Sequence, residues 1–144
     1  MKLDSAGLEI LTREDCLDLL ASVPIGRIVF TDRALPAVQP VNFRMDRESI
    51  VIRAAAGSKL AAAAAGSVVA FEADDLNVDL ESGWSVTAVG YARCVHDPGE
   101  IARLSLLPLR PWAPGKRDDF VVITPTQLSG RRIPPPIGVP AFTG

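Results

Sequence analysis

The sequence has little of the chemistry on which many metal-dependent and hydrolytic sites rest. Its 144 residues contain one histidine, His96, and two cysteines, Cys16 and Cys94. A histidine-based metal site or a Ser-His-Asp triad would rest on one side chain, so we expect neither. The cysteines form no CxxC pair. We therefore expect buried, reduced thiols, and a structural disulfide is the less favoured alternative.

The chain also lacks a large excess of charge and any long apolar run. Its formal net charge is −2 and its pI is near 5.3, which gives no electrostatic drive toward nucleic acid or an anionic membrane. No apolar run reaches about 18 residues, and the first residues show no signal-peptide core. We expect a cytoplasmic protein without nucleic-acid or membrane partners. Residues 1–144 are expected to form one domain, with a core over 11–133 and a Pro-rich C-terminal arm over 134–144.

Alternating and β-branched residues predict six strands, and the short loops between the first three predict an antiparallel meander. One helix is expected after the capping residue Thr12, and another across the alanine-rich residues 57–65. A third is expected after the capping residue Asp97 and should reach about residue 107. Gly90 is a candidate β-bulge within the fifth strand. The six predicted strands span residues 26–31, 37–45, 49–53, 67–74, 83–95 and 120–124, with an acidic loop over 75–82 and an extended tail over 130–136.

These elements predict a mainly β fold, a small six-stranded antiparallel split β-barrel with peripheral helices. Closure of the sheet removes exposed strand edges. A barrel of this size is filled by its own side chains, so a ligand would lie on its outer surface. A groove between two subunits, and hence a homodimer, is the favoured place for it.

The most informative segment joins the third predicted strand to the alanine-rich helix. The strand ends near Arg53, and Ser58 and Lys59 open the helix. These side chains and the first free amides of the helix can converge on one phosphate. Lys59 stands out because the only other lysines are Lys2 and Lys116. The alternative is a capped helix with a solvated lysine.

The order and spacing of these segments resemble the FMN-binding split-barrel superfamily, the pyridoxamine 5′-phosphate oxidase-like proteins. The resemblance covers residues 11–133 and is strongest to the smaller bacterial members, including the nitroimidazole-resistance-like group. True pyridoxamine phosphate oxidases carry an Arg-x-His element near the C-terminus, whereas Arg131 and Arg132 here precede Ile133. We therefore do not expect the vitamin as substrate. The resemblance rests on residues 26–30, Pro36, 40–43, Arg53, 57–60, 69–74 and 83–86.

The resemblance implies FMN at a dimer interface. Arg53, Ser58 and Lys59 would hold its phosphate, and main-chain groups of the second strand would run along the flavin ring. Trp84 has a core alternative, and Arg117 has a surface ion pair with an adjacent aspartate as its alternative. The full set implied to contact the cofactor is Pro40, Val41, Asn42, Arg53, Ala54, Ser58, Lys59, Leu60, Trp84, Ser85, Val86, Trp112 and Arg117.

The function implied is an FMN-dependent oxidoreductase acting on a small molecule, with a nicotinamide reductant. Flavin carries the redox chemistry, so no catalytic side chain and no metal are assigned. One alternative is the deazaflavin F420, whose longer acidic tail could meet Arg131 and Arg132. Others are a non-enzymatic flavin-binding protein, a haem-binding version that would depend on His96, and an anion-binding domain without a cofactor. Glu72 and Asp74 alternate on one strand, and we expect them to be exposed or paired to arginine rather than to form an acid/base site.

Overall fold

The computed structural model describes residues 2–110 and 118–135. Within them the chain forms seven strands and three short helices. In chain order these are β1 (Glu9–Ile10), α1 (Arg13–Ala21), β2 (Ile25–Asp32), β3 (Leu35–Asp46), β4 (Ser49–Ala55), α2 (Lys59–Ala64), β5 (Ser67–Asn77), β6 (Ser82–Cys94), α3 (Pro98–Leu104) and β7 (Asp118–Ile133).

The strands form one antiparallel sheet that closes on itself. Their order is β1-β7-β4-β3-β2-β5-β6, and β6 also pairs with β7. Strands β2 to β7 therefore make a closed ring of six, with β1 added outside it along β7. The predicted mainly β split barrel is confirmed, and the two-residue β1 is a strand that the sequence did not predict. A segment of two residues is too short to show an alternating pattern.

Strand β7 is much longer than predicted. Residues 120–124 and 130–133 were expected to be a strand and an extended tail, but both belong to β7. Pro125 interrupts the sequence pattern, yet the strand continues because it pairs with β6 along most of its length. A register shift lies between Val89 and Gly90, and Gly90 pairs with Pro125. A bulge beside Gly90 is thus present, but its extra residue is Thr126 of β7 rather than a residue of the predicted fifth strand, and it is the place where β7 accommodates a proline.

The remaining differences concern where elements begin and end. Strands β5 and β6 extend through much of the predicted acidic loop, because cross-strand pairing continues to Asn77 and Ser82. Both predicted caps are present. The hydroxyl of Thr12 accepts from the amide of Asp15 at 3.1 Å, and the carboxylate of Asp97 accepts from that of Glu100 at 2.8 Å. The third helix ends at Leu104 rather than near residue 107.

Side chains fill the barrel interior, as predicted for a barrel of this size. Phe43 and Phe71 meet edge to face at its centre, with ring centroids 4.7 Å apart. Ile28, Ile52 and Ile123 are fully buried around them. Cys16 and Cys94 are free thiols, as expected, although Cys94 is only half-buried.

A second, smaller apolar cluster covers the outer face of β4 and β7. Val51, Phe120 and Val122 project from the strands, and Leu104 and Leu109 cover them. This cluster fixes the end of α3 and the following residues against the barrel. Among the described helices, none is long and apolar enough to cross a membrane.

Replacing Gly90 with alanine should destabilise the barrel, because an added Cβ would overlap the carbonyl of Thr124. Overpacking of this kind costs about 1–3 kcal/mol of unfolding free energy, measurable by urea denaturation. Gly99→Ala is the control, since its Cβ would meet only the carboxylate of Asp97, at 3.2 Å. Equal stability of the two variants would show that the bulge tolerates a side chain.

Candidate functional site

Strands β3 and β4 begin as a hairpin and then separate. Their pairing runs from Asp46 and Ser49 to Phe43 and Ile52, where the register ends. Beyond this point β3 continues along β2, and β4 continues along β7 to Ala55. We call the resulting opening, between residues 36–42 of β3 and residues 53–55 of β4, the split.

Main-chain polar groups of β3 face the split. The amide of Phe43 donates to the carbonyl of Pro24 at 3.1 Å, on the β2 side. Alternate residues of an antiparallel strand direct these groups to opposite neighbours. Asn42 and Pro40 therefore direct theirs away from β2 and into the split. Proline suits such a position because it has no amide to leave without a partner.

The start of α2 lies at one end of the split. Gly57 adopts a left-handed conformation (φ 76°), and Ser58 follows as the N-cap, accepting from the amide of Ala61 at 3.1 Å. The alternative of a capped helix is therefore correct for Ser58, because its hydroxyl oxygen accepts the hydrogen bond that caps α2. The amides of Lys59 and Leu60 precede the first intrahelical bonds and have no helical acceptor. A cavity of about 150 Å³ lies here, lined by Gln39, Ala54, Ala55, Ser58 and Leu60.

Arg53 has partners that the sequence did not predict. Its Nη1 donates to the carbonyl of Leu109 at 3.0 Å, and its Nε lies 3.5 Å from Oδ2 of Asp118. The guanidinium carbon lies 4.8 Å from the centroid of the Phe120 ring. These contacts turn the guanidinium toward the outer face of β4 and β7. Lys59, by contrast, is exposed beside Ser58.

A larger cavity, of about 270 Å³, lies on the outer side of β3. Asn42 and Arg44 form one wall, and the segment after α3 forms the other. Arg44 donates through Nη1 to the carbonyl of Phe43 at 2.8 Å, which holds it along the strand. The lining residues carry two guanidinium groups and no carboxylate. They are Pro24, Asn42, Arg44, Pro108, Leu109 and Arg110.

The predicted contacts from the fifth strand divide between the two faces of β6. Trp84 and Val86 point into the barrel core, where Trp84 is 8% exposed, so the core alternative for Trp84 describes its position. Ser85 lies between them on the outer face and is half-buried. Val41 and Ala54 are likewise buried, and by the same alternation their main-chain hydrogen-bonding groups point to β2 and β7 rather than into the split. Trp112 and Arg117 lie outside the described residues.

The carboxylates of β5 belong to an ion network, as expected. Nη1 of Arg27 lies 2.9 Å from Glu72 and 3.0 Å from Asp74. Burial, and then Asp74 beside it, raise the pKa of the Glu72 carboxyl, while Arg27 acts in the opposite direction. In the part of the chain that the structure describes, no cluster of three or more histidine, cysteine or acidic residues could hold a metal ion.

Comparisons with known proteins identify the family of the chain. Residues 12–132 match the family model described as pyridoxamine 5′-phosphate oxidase. The chain belongs to this family. An uncharacterized protein of Mycobacterium tuberculosis is 42% identical over 128 residues, covering 85% of this chain and 84% of that protein.

Solved structures of similar proteins extend the comparison. The FAD-binding protein from Mycobacterium smegmatis is 41% identical, with a TM-score of 0.78, and the match covers 86% of this chain and 97% of that one. A putative pyridoxamine 5′-phosphate oxidase from Corynebacterium glutamicum is 35% identical, with a TM-score of 0.77, and covers 88% and 98%. The family predicted from the sequence is confirmed.

The N-cap at Ser58 gives a prediction about stability. Ser58→Ala removes the acceptor of the Ala61 amide, so the free energy of unfolding should fall by about 0.5–2 kcal/mol in thermal or urea denaturation. Ser58→Thr keeps a hydroxyl and should retain most of that stability. If alanine and threonine were equivalent, the cap would contribute nothing to the fold.

Proposed function

We propose that this chain is a flavin-dependent oxidoreductase that binds its cofactor at the split. The observation that carries the proposal is the pair of main-chain segments around Asn42 and Arg53, which separate and face each other without pairing. The pyrimidine edge of a flavin ring presents an alternating series of acceptors and a donor. The main-chain amide and carbonyl of Asn42 and the main-chain carbonyl of Pro40 offer complementary donors and acceptors.

The α2 end of the split suits the flavin phosphate. Lys59 supplies a compact, exposed positive charge, and the hydroxyl of Ser58 can donate while its oxygen caps the helix. The free amides of Lys59 and Leu60 add two donors. Hydrogen bonds from charged donors to phosphate are the stronger kind. The phosphate would therefore lie at the cavity lined by Ser58 and Leu60.

Bound flavin supplies the hydride or electron transfer, so the protein needs no acid or base of its own for that step. The residues of this chain bind and orient the cofactor. The main chain of Pro40 and Asn42 holds the ring edge in place. Val41 and Ala54, anchored in the core, fix the strands that carry these groups. A small-molecule substrate and a nicotinamide reductant complete the proposed reaction.

FMN is the proposed cofactor, and FAD is the second candidate. The ring and first phosphate are common to both, so the split and Lys59 serve either molecule. FAD is supported as the second candidate by the similarity to the FAD-binding protein from Mycobacterium smegmatis. A deazaflavin is less favoured, because Arg131 and Arg132 pair with Asp4 at 3.0 Å and Glu9 at 3.2 Å. Those pairs occupy the charges that its acidic tail would need.

A homodimer is part of the proposal. Val38 and Val68 are each 63% exposed and Tyr91 is 58% exposed, all on the outer face of the barrel. Val38 pairs with Val29, and Val68 pairs with Tyr91, so these apolar side chains stand in adjacent positions across the strands. Exposed apolar surface of this kind is typical of an interface. A second copy of the chain would cover it and complete the groove.

Lys59→Met should weaken FMN and FAD binding but leave riboflavin binding unchanged, because riboflavin has no phosphate. Loss of one charged hydrogen bond costs about 1.5–3 kcal/mol, or a roughly 10- to 150-fold rise in Kd. Fluorescence titration with each of the three flavins measures this. Lys2→Met is the matched control, an exposed lysine near the N-terminus. Equal losses for FMN and riboflavin, or none for either, would show that the phosphate lies elsewhere.

Anaerobic reduction of the flavin-loaded protein tests the enzymatic part. NADH or NADPH should bleach the visible absorbance of the oxidised flavin, and an added electron acceptor should restore it. Competition between FMN, FAD and a deazaflavin in the same titration ranks the cofactors. A protein that binds flavin tightly but is reduced by neither nucleotide would be a flavin-binding module rather than a nicotinamide-dependent enzyme.

A further inference from the structure

We propose that Arg53 is a positioning residue rather than a phosphate ligand. Together with Asp118 it clamps the segment 108–110 against the outer face of β4, and that segment forms the wall of the larger cavity opposite Asn42. The clamp stands on contacts of the described residues alone. Its effect on flavin binding rests on the proposed function.

The contacts of Arg53 join parts of the chain that are far apart in sequence. Leu109 and Asp118 lie 56 and 65 residues beyond it (109 − 53 and 118 − 53). The carbonyl of Leu109 accepts one guanidinium hydrogen at 3.0 Å, and Asp118 lies 3.5 Å from Nε. Phe120 packs under the same group. The guanidinium therefore contacts the segment 108–110 and two residues of β7 at once.

The sheet register explains why these groups meet. Arg53 pairs with Phe120, and Ala55 pairs with Asp118. Because side chains alternate along a strand, Arg53, Phe120 and Asp118 share the outer face. Asp118 is the diagonal neighbour of Arg53 on that face. Val51 continues the same face into the second apolar cluster, so the clamp forms the polar end of that cluster.

The burial of Asp118 makes the pair energetically coupled. Its side chain is 1% exposed, against 21% for Arg53. Among the described residues no donor hydrogen-bonds either carboxylate oxygen, and Nε of Arg53 has no acceptor. A buried carboxylate is costly unless an opposite charge lies close to it. Loss of Arg53 would thus leave Asp118 buried without its neighbouring cation.

The clamp reaches the candidate site through Leu109. Pro108, Leu109 and Arg110 line the larger cavity, whereas Arg53 lines neither that cavity nor the smaller one at the start of α2. The guanidinium, held by Leu109 and Asp118, is turned toward the segment 108–110. Its removal should loosen the wall of the site without removing a contact to the ligand.

Stability and local hydrogen exchange of the flavin-free full chain test the clamp directly. Arg53→Met, Asp118→Asn and the double variant are compared with wild type, and Arg93→Met and Glu100→Gln, an exposed ion pair, serve as matched controls. Arg53→Met should lower stability, and adding Asp118→Asn should restore most of the loss. Exchange of the Leu107 and Leu109 amides should be at least 10-fold faster than wild type in all three clamp variants. The control variants should leave both readouts unchanged.

Flavin titration separates a clamp from a ligand. If Arg53 acts through the wall, Arg53→Met and Asp118→Asn weaken FMN and riboflavin by similar factors. If Arg53 binds the phosphate, Arg53→Met weakens only FMN, and Asp118→Asn leaves FMN binding unchanged or tighter. Wild-type protein that binds no flavin would refute the proposed function, while exchange and stability would still decide the clamp.

Two results would overturn the clamp itself. One is additive stability effects of Arg53→Met and Asp118→Asn, and the other is wild-type exchange at Leu109 in both. If Arg53→Met does not fold, Arg53→Lys replaces it. Lysine keeps the charge near Asp118 but cannot also reach Leu109 with a planar fork. It should keep most of the stability while exchange at Leu109 rises, and wild-type exchange at Leu109 in Arg53→Lys would also refute the clamp.

Discussion

The separation of β3 from β4 after Phe43 and Ile52 is the constraint on which the rest of the site depends. Two strands that stop pairing leave main-chain donors and acceptors that must be met by water or by a ligand. Pro40 removes one donor from that edge, and the turn at Gly57 directs the chain into α2 at one end of the opening. The split thus provides a polar edge for a planar ligand and, beside it, the cation of Lys59.

The opening is stable because both of its sides are anchored elsewhere. On one side β3 stays paired with β2, and on the other β4 stays paired with β7. The interior packing around Phe43 and Phe71 holds these strands from within, and the cluster around Val51 and Leu109 holds them from outside. The site therefore lies on strands with little freedom to move, which suits the precise placement of a flavin ring.

The sequence predicted the features that depend on local patterns. The caps at Thr12 and Asp97 and the bulge beside Gly90 follow from residue types and spacing within a few positions. For Trp84, which the resemblance implied as a cofactor contact, the core alternative followed from the large apolar surface of tryptophan, and the structure shows the side chain buried. The caps and the bulge each depend on residues that are close together in the chain, so the sequence of one short segment is sufficient to predict each of them.

Features that depend on contacts between distant segments could not be predicted from the sequence. The pairing of Arg53 with Asp118 requires the register of β4 against β7, which spacing along the chain does not reveal. The continuation of β7 past Pro125 required the same knowledge of β6. Arg53 was therefore interpreted from its sequence neighbours Ser58 and Lys59 and from the family resemblance. In the folded chain its contacts come from Leu109, Asp118 and Phe120.

A crystal structure of the FMN-loaded protein tests the central claim most directly, because it shows which groups hold the ring. The account predicts the pyrimidine edge of the flavin hydrogen-bonded to the main chain of Asn42 and Pro40. It predicts that the phosphate lies beside Lys59. It also predicts that Arg53 remains hydrogen-bonded to the carbonyl of Leu109. A flavin bound away from the split, with the main chain of β3 solvated, would contradict it.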